Sequence, residues 1–552
     1  MPSEGTGVTT AFAEGQELNA FTSFEDISQA VPDLKRELLI SGGFLNDLAS
    51  VSDPKSFVYA FDGTAFLNVP LLQPRLDSVE EWAFPNNNNN NDEHPIHIHV
   101  NDFQVTNYFD PTTGLQTGVE MWGVDNANVP APTLGSDEAV VQQGTLSLRT
   151  KFENYAGLFV IHCHRLNHED NGLMTLVNVI PAASTYAVAV PGSKGRAAEV
   201  KVYDGNGDKL VATVKPFAGY EGTPSVAMGD IDDDSVYDLV VGAGKDHAPE
   251  VVAYAGKPKG GKAPFTTELA RFEAFDSSAG GGISVASSQI DGSTADNIIV
   301  GSPPGIPSEV KVCKSRLPSS PGTAPALFST FSPYLDDRNG VSVASGFVDF
   351  TTGRYSVVTT PGAGSMAQVK VFNFSLMKPI GQKKSAGPGA DQCEPGDNKP
   401  AVTNAFMPFG MSYRGGLSLA TGWLAGSLGG AERIVVGQLT GPGEVKVYSS
   451  GSRLDGGPKI YVAGAEHTPI ADFAEIANFR PFGEGSGVSV ATTSTTYGAD
   501  LLVGGISSVD KIAQVLKFEL LKPDPDASSL VARQLSTVVS AEGSQPNALG
   551  GD

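Results

Sequence analysis

The sequence has few of the residues that usually cross-link a protein or anchor it in a membrane. Three cysteines in 552 residues are too few for a disulfide framework. No apolar run reaches the roughly 18 residues that a membrane-spanning helix needs. Basic residues are also scarce, with 37 Lys and Arg against 61 Asp and Glu. The resulting net charge of −24 argues against nucleic acid and anionic membranes as partners.

The remaining composition favours an all-β protein of several domains. The chain is 40% hydrophobic and only 18% charged, which is too apolar for a disordered chain. Its 64 glycines and 37 prolines are too many for a helical one. At the usual domain size, 552 residues predict two to four domains.

The first third of the chain is predicted to hold one β-sandwich or barrel. Residues 1–30 form a polar, acidic segment without the basic start and apolar run of a secretory signal, so either the protein is cytoplasmic or a signal lies upstream. Residues 31–184 contain short stretches of alternating apolar and polar residues, separated by turn residues. We interpret the six asparagines at 86–91 as a flexible insertion between strands.

From residue 185 the sequence becomes repetitive. One strand pattern occurs six times, at intervals of 51 to 76 residues, and most copies follow an apolar strand ending in Gly and a strand of the Ser-Val-Ala type. Units of about 60 residues with several strands are typical of β-propeller blades. We predict about six blades over residues 185–535, of which the first is incomplete or closed by the C-terminal segment. Residues 536–552 are predicted to be a disordered tail.

One repeat contains an acidic loop with the spacing of a calcium site. Asp230, Asp232, Asp234 and Asp238 lie at positions 1, 3, 5 and 9 between two strands, and calcium accepts six to eight oxygen ligands. The alternative is a solvated acidic turn. The same positions of the next repeat retain a single carboxylate, so the sequence predicts one calcium site.

These repeats resemble the FG-GAP, integrin-α-like propellers. The resemblance rests on the segment 229–234 (GDIDDD), followed by 238–242 (DLVVG). It implies a propeller fold, and it makes adhesion or recognition an expected role.

Histidine is scarce as well, but six of the eight histidines lie within 75 positions. They occupy two segments, HPIHIH at 94–99 and HCHRLNH at 162–168. Because side chains alternate along a strand, His162 and His164 share a face and Cys163 points to the opposite one. The pattern predicts one set made of imidazoles only and a second set that includes the thiol: His97, His99, His162 and His164 in the first, and His94, Cys163 and His168 in the second.

The donor atoms of these sets indicate copper. Two imidazoles and one thiolate are typical of a blue, type 1 copper site, whereas a set of imidazoles alone suits copper or zinc. Zinc is the weaker alternative for the whole arrangement, since two His-x-His pairs exceed one tetrahedral site. The remaining alternative is a group of histidines packed between strands without a metal.

Residues 31–184 resemble the C-terminal cupredoxin domain of multicopper oxidases, a Greek-key β-sandwich. The resemblance covers both histidine segments, residues 61–63 and 80–82, and Glu169-Asp170. It implies type 1 copper at His94, Cys163 and His168, type 2 copper at His97, and a type 3 pair at His99, His162 and His164. It also implies that a small reducing substrate gives electrons to type 1 copper. They pass through Cys163 and its neighbours His162 and His164 to a trinuclear site, where dioxygen becomes water.

The sequence departs from that family in two respects. Leu173 occupies the axial position of type 1 copper, which predicts a site without an axial ligand; a small shift that lets Met174 bind is the alternative. A trinuclear site needs eight histidines, and this chain supplies four of them. Either the sequence is part of a longer oxidase, or a second cupredoxin domain or chain completes the site, or the protein is a copper-binding electron carrier or recognition protein without oxidase activity. The resemblance implies an extracellular or periplasmic location.

Overall fold

The computed structural model describes most of the chain, in many separate ranges. They are residues 25–44, 57–61, 66, 71–118, 123–137, 139–153, 155–205, 207–315, 317–318, 323–349, 355–374, 399–424, 432–449, 473–482, 487–495, 498–506, 513–521, 529–541 and 548–550. Residues 62 and 63, which belong to the resemblance described above, and residues 1–24 of the acidic N-terminal segment lie outside the described residues. No helix of the described ranges is both long and apolar enough to cross a bilayer.

The first part of the chain forms two main β-sheets that pack face to face, with one small additional sheet. The strands are β1 (Leu34–Glu37), β2 (Ile40–Phe44), β3 (Phe57–Phe61), β4 (Leu71–Leu72), β5 (Val79–Asn86), β6 (His94–Ile98), β7 (Phe103–Asp110), β8 (Leu115–Thr117), β9 (Asn126–Val129), β10 (Thr133–Leu134), β11 (Val140–Gln142), β12 (Gly144–Lys151), β13 (Gly157–Cys163) and β14 (Met174–Val179). One sheet has the order β3-β2-β5-β12-β7-β8 with β1 beside β5, and the other has the order β4-β14-β13-β6-β9. A short helix, α1 (Leu166–Asp170), connects β13 to β14.

The core of this sandwich follows from strict alternation along its strands. Every second residue of β12 is buried, and β5 directs Trp82 and Phe84 inward without any exposed surface. The indole N–H of Trp82 donates to Glu80, which also forms a buried two-point ion pair with Arg36. Residues 25–30 pack on the same sheet, since Arg149 donates to three of their carbonyl groups. The acidic N-terminal segment therefore contributes to the sandwich from about residue 25 onward.

The described residues from 185 onward form six four-stranded antiparallel sheets. Their strands are β15 (Thr185–Val190), β16 (Glu199–Asp204), β17 (Leu210–Val214), β18 (Ser225–Gly229), β19 (Asp238–Gly242), β20 (Glu250–Tyr254), β21 (Glu268–Glu273), β22 (Ser284–Ser288), β23 (Asn297–Gly301), β24 (Val310–Cys313), β25 (Leu327–Phe331), β26 (Val341–Gly346), β27 (Ser356–Pro361), β28 (Val369–Asn373), β29 (Ala401–Phe406), β30 (Leu417–Gly422), β31 (Arg433–Gln438), β32 (Val445–Ser449), β33 (Ala474–Phe479), β34 (Ser489–Thr495), β35 (Gly498–Ile506), β36 (Ala513–Leu521), β37 (Val531–Ala541) and β38 (Ala548–Gly550). The strands of the sequence repeat coincide with strands of these sheets.

Consecutive sheets are joined through their first strands. The strands β18, β22, β26, β30 and β34 contact one another in that order, and β38 contacts both β34 and β18. Hydroxyl groups link the neighbours: Ser225 accepts the N–H of Val285, and Ser284 accepts the N–H of Val343. These bonds place the recurring Ser of β18 and of β22 at a contact between two sheets.

Two expectations of the sequence analysis require correction. The tail is not wholly disordered, because β37 continues to Ala541 and β38 pairs with β15 to complete the first sheet. The asparagine run is not simply a flexible insertion, because Asn86 ends β5 and both Asn86 and Asn88 are fully buried.

Candidate metal centre

Adjacent strands bring the two histidine segments together. In the antiparallel pair of β6 and β13, His162 lies opposite His97 and Cys163 lies opposite Ile96. Alternate residues of β6 are buried, so that His94 shares the inner face with Ile96 and Ile98, whereas His97 lies on the outer face. The helix α1 then returns His168, which is buried, toward Cys163. The local sequence pattern therefore separates an inner set from an outer set, as the strand period predicts.

The inner set consists of His94, Cys163 and His168, and all three are essentially inaccessible to solvent. Sγ of Cys163 lies 3.8 Å from Nδ1 of His94 and 3.7 Å from Nδ1 of His168, and the two Nδ1 atoms are 3.0 Å apart. The circle through these three atoms has a radius of about 2.0 Å, close to the bond lengths of about 2.0–2.3 Å for nitrogen and sulfur ligands. The donor atoms therefore fit one metal ion.

Burial sets the protonation of the inner set. It lowers the pKa of His94 to about 3 and also lowers the pKa of His168, so both imidazoles are neutral at pH 7 and offer a lone pair. Burial raises the pKa of the Cys163 thiol to about 11. The thiol must therefore lose a proton when it binds a metal, because the thiolate is the ligand.

Residues outside the predicted set orient the two imidazoles. The ring of Tyr59 stacks on His168 with centroids 4.0 Å apart, and its hydroxyl donates to Asp92. Oδ2 of Asp92 lies 3.7 Å from Nε2 of His168, which leaves Nδ1 facing Cys163. The amide nitrogen of Asn88 lies 3.3 Å from Nε2 of His94, the ring nitrogen that points away from Cys163. Such partners are the usual surroundings of metal-binding histidines, and the sequence analysis did not identify them.

The outer set lies on the other face of the same sheet. One donor atom from each of His97, His99 and His162 lies within 4.8 Å of the others, and Nε2 of His99 is 3.1 Å from Nε2 of His162. His164 is exposed, and its ring centroid lies 4.9 Å from that of His97. This set is accessible at the surface of the sandwich.

Hydrogen bonds direct the outer imidazoles as well. Nδ1 of His97 lies 2.7 Å from the carbonyl oxygen of Asp125, and Nδ1 of His162 lies 3.1 Å from the carbonyl oxygen of Cys163 and 3.3 Å from a carboxylate oxygen of Glu169. Both rings consequently present Nε2 to the centre of the set. Glu169 is thus a neighbour of a candidate ligand.

The register of β13 and β14 separates Leu173 from Met174. The N–H of Cys163 donates to the carbonyl oxygen of Leu173, which is fully buried in the sandwich core. Met174 lies directly opposite His162, and directly opposed residues project to the same face. The register therefore favours Leu173 on the side of the thiol, and it assigns Met174 to the side of the outer set.

The acidic loop between β18 and β19 gathers three of its four predicted carboxylates. Oxygen atoms of Asp230, Asp232 and Asp234 lie within 4.8 Å of one another. Burial raises the pKa of Asp230 to about 6, and its oxygens accept the N–H groups of Asp234 and Ser235. Lys259, which the sequence analysis did not identify, forms an ion pair with Asp232. A cation at this loop would therefore compete with an ammonium group.

Asp238, the fourth predicted calcium ligand, has both of its carboxylate oxygens occupied by backbone hydrogen bonds. Both of its oxygens accept backbone N–H groups, from Ile231 at 2.9 Å and Gly256 at 2.7 Å. The equivalent residue of the next repeat, Asn297, accepts the corresponding N–H of Ile290. Because an amide replaces the carboxylate without changing this bond, the position serves to close the loop in both repeats.

The comparisons with known proteins concern the sandwich. Residues 42–183 match the family model of the multicopper oxidases. A laccase from Bacillus stratosphericus is 32% identical over 120 residues, which are 21% of this chain and 23% of that protein. A bilirubin oxidase from Albifimbria verrucaria is 30% identical over 126 residues, which are 22% of this chain and 20% of that protein. A solved multicopper oxidase from Campylobacter jejuni, described as a metallo-oxidase, is 24% identical and covers 29% of this chain and 32% of its own, with a TM-score of 0.22.

These matches are partial on both sides. The chain spans about a fifth of the length of the two curated relatives, and the matched segment is about a quarter of the chain. The match nevertheless includes both histidine segments and the buried thiol of Cys163 within the second one. The segment from residue 42 to residue 183 is therefore similar to a domain of the multicopper oxidases.

Proposed function

We propose that the protein is a copper-dependent oxidoreductase of the multicopper oxidase type. The observation that carries this proposal is the convergence of His94, Cys163 and His168 on one buried point. Bound there, copper would supply one-electron redox chemistry between a small reducing substrate and dioxygen. The laccase and bilirubin oxidase relatives support this reaction class.

The residues of this chain hold and shield the inner site. Cys163 supplies the thiolate, and its backbone neighbours His162 and His164 belong to the outer set. The covalent chain thus links the two sets directly, and these three residues are the proposed catalytic group. Leu173, which is fully buried, occupies the axial side without offering a donor atom.

We propose that the outer set is one half of an oxygen-reducing copper site. Its residues are His97, His99, His162 and His164, and the surface position of His164 leaves room for a second cupredoxin domain or chain. Exposed apolar side chains, Val100 and Leu166, lie beside these histidines in sequence and add apolar contact area. An extracellular or periplasmic location follows from the same resemblance.

We also propose that the sandwich covers residues 31–184, with residues 25–30 packed on it, and that residues 185–541, with β38, form a six-bladed propeller of the FG-GAP type. The ordered contacts of the first strands, which return from β34 to β38, support this arrangement. Calcium is proposed at Asp230, Asp232 and Asp234, with Asp238 closing the loop behind them.

An anaerobic titration tests the proposed function. The copper-loaded full chain is treated with a phenol under argon, and the visible absorption of the copper–thiolate bond is followed. We expect the absorption to disappear on reduction and to return when oxygen is admitted. Absorption that persists with excess phenol contradicts an oxidoreductase, whereas bleaching with slow oxygen uptake indicates an electron carrier that lacks the second domain.

A further inference from the structure

A cavity of about 660 Å³ lies where the sandwich meets the first strands of the six sheets. The sandwich contributes the end of β14, the residues that follow it and those at the start of β13 to the wall, and most of the remainder comes from β18, β22, β26, β30, β34 and the loops beside them. This volume is in the range of small-molecule sites. It is separate from both histidine sets and from the proposed copper chemistry.

Four equivalent positions of the repeat line this cavity with an alternating pattern. The residue that precedes the second strand is Tyr237, Asp296, Tyr355 and Glu432 in four consecutive sheets, and all four border the cavity. The wall therefore alternates aromatic rings with carboxyl groups.

The two carboxyl groups have no basic partner among the described residues. Asp296 accepts the backbone N–H of Asp230, and the side chains that bond to Glu432, those of Thr421 and Gln73, are uncharged. Two cations border the cavity, Arg36 and Lys245; Arg36 is paired with Glu80, and Lys245 forms no ion pair with either carboxyl group among the described residues. Burial raises the pKa of Asp296 to about 8 and that of Glu432 to about 7, so ionisation is costly near neutral pH, and a bound cation offsets that cost.

Polar groups of the wall also lack protein partners. Asn178 is 2% exposed, its amide N–H donates to the Tyr355 hydroxyl, and its Oδ1 has no partner. The indole N–H of Trp423, a further aromatic residue of the wall, has none either. Buried polar atoms are normally satisfied, so these two atoms point to an additional molecule.

We propose that this cavity binds a small organic ammonium ion, such as a primary amine, between the carboxyl groups of Asp296 and Glu432 and the aromatic rings of the wall. Carboxylates accept the N–H groups of an ammonium ion, and Trp and Tyr faces attract cations. The volume exceeds that of a metal ion, and Asp296 and Glu432 are not part of any metal-binding group found among the described residues.

The test is a calorimetric titration of the full chain with n-hexylamine and with its neutral isostere n-hexanol. Near neutral pH the amine is protonated, as a Lys side chain is. We expect n-hexylamine to bind at least about tenfold more tightly than n-hexanol, because the charge-assisted bonds require the ammonium group. Equal affinities, or no binding of the amine, would overturn the proposal.

Three variants locate the amine. Glu432→Gln and Asp296→Asn keep the shape of the wall and remove one ionisable carboxyl group each, and each is expected to weaken n-hexylamine binding about tenfold. Glu309→Gln is the matched control, since Glu309 bonds to Thr330 away from the cavity. Circular dichroism checks that each variant is folded. One folded cavity variant is enough for the comparison with wild type. Unchanged affinity in the folded cavity variants would overturn the proposal, because the amine would then bind elsewhere.

Discussion

Copper binding at the inner site should release one proton from the Cys163 thiol at neutral pH. The pKa of that thiol is raised to about 11 by burial, so the thiolate costs about 5 kcal/mol at pH 7, at 1.36 kcal/mol per pKa unit. His94, with a pKa of about 3, and His168, whose pKa is also lowered, are already neutral and release no proton. Because the thiolate is the bound form, copper affinity should rise about tenfold per pH unit until the pH reaches the pKa of the thiol.

The assay is a potentiometric copper titration in weakly buffered solution between about pH 7 and pH 8, with the visible copper–thiolate band followed in parallel. One proton should appear for each inner site that gains the band. Cys163→Ser keeps both imidazoles and serves as the baseline. It should release one proton fewer per chain than the wild type when copper is added. Release of no additional proton would show that Cys163 is not a thiol that loses its proton on copper binding. Release of two would show that an imidazole of the inner set is charged before copper binds. Either result would refute the reasoning.

Three further substitutions test the surroundings of the metal sites. Asn88→Ala should lower copper affinity about 10- to 100-fold in a competition titration while the visible band persists, because the amide next to His94 is lost; unchanged affinity would remove Asn88 from the site. Leu173→Met should lower the reduction potential measured by spectroelectrochemistry, since a thioether stabilises the oxidised ion; an unchanged potential would contradict the axial assignment. Lys259→Met should raise calcium affinity a few-fold in calorimetry, because the ammonium group no longer competes for Asp232; weaker binding would contradict that competition.

The sequence pattern predicted the separation of the two histidine sets well, for a simple reason. Side-chain direction along a strand has a period of two, so His162 and Cys163 must face opposite sides wherever the strand lies. The recurring strands of the second part were predicted for the same reason, since the repeat preserves their period. Such local rules do not depend on which strands become neighbours.

The residues that the sequence analysis missed depend on tertiary contacts. Asn88 and Asp92 lie in the turn between β5 and β6, where no period applies, and an asparagine run suggests flexibility. Lys259 approaches the acidic loop from 27 residues away in sequence. The strand β38 consists of Ala, Leu and Gly, a composition without a strand signal, and it forms by pairing with β15 at the opposite end of the repeats.

The most direct test of the account compares the two described cysteines. Both Cys163 and Cys313 are buried and free, but only Cys163 lies beside two imidazoles. Copper titration of the full chain, of Cys163→Ser and of Cys313→Ser should yield the visible copper–thiolate band in the wild type and in Cys313→Ser, and none in Cys163→Ser. A band that survives in Cys163→Ser, or is absent from the copper-loaded wild type, would contradict the assignment of the inner site.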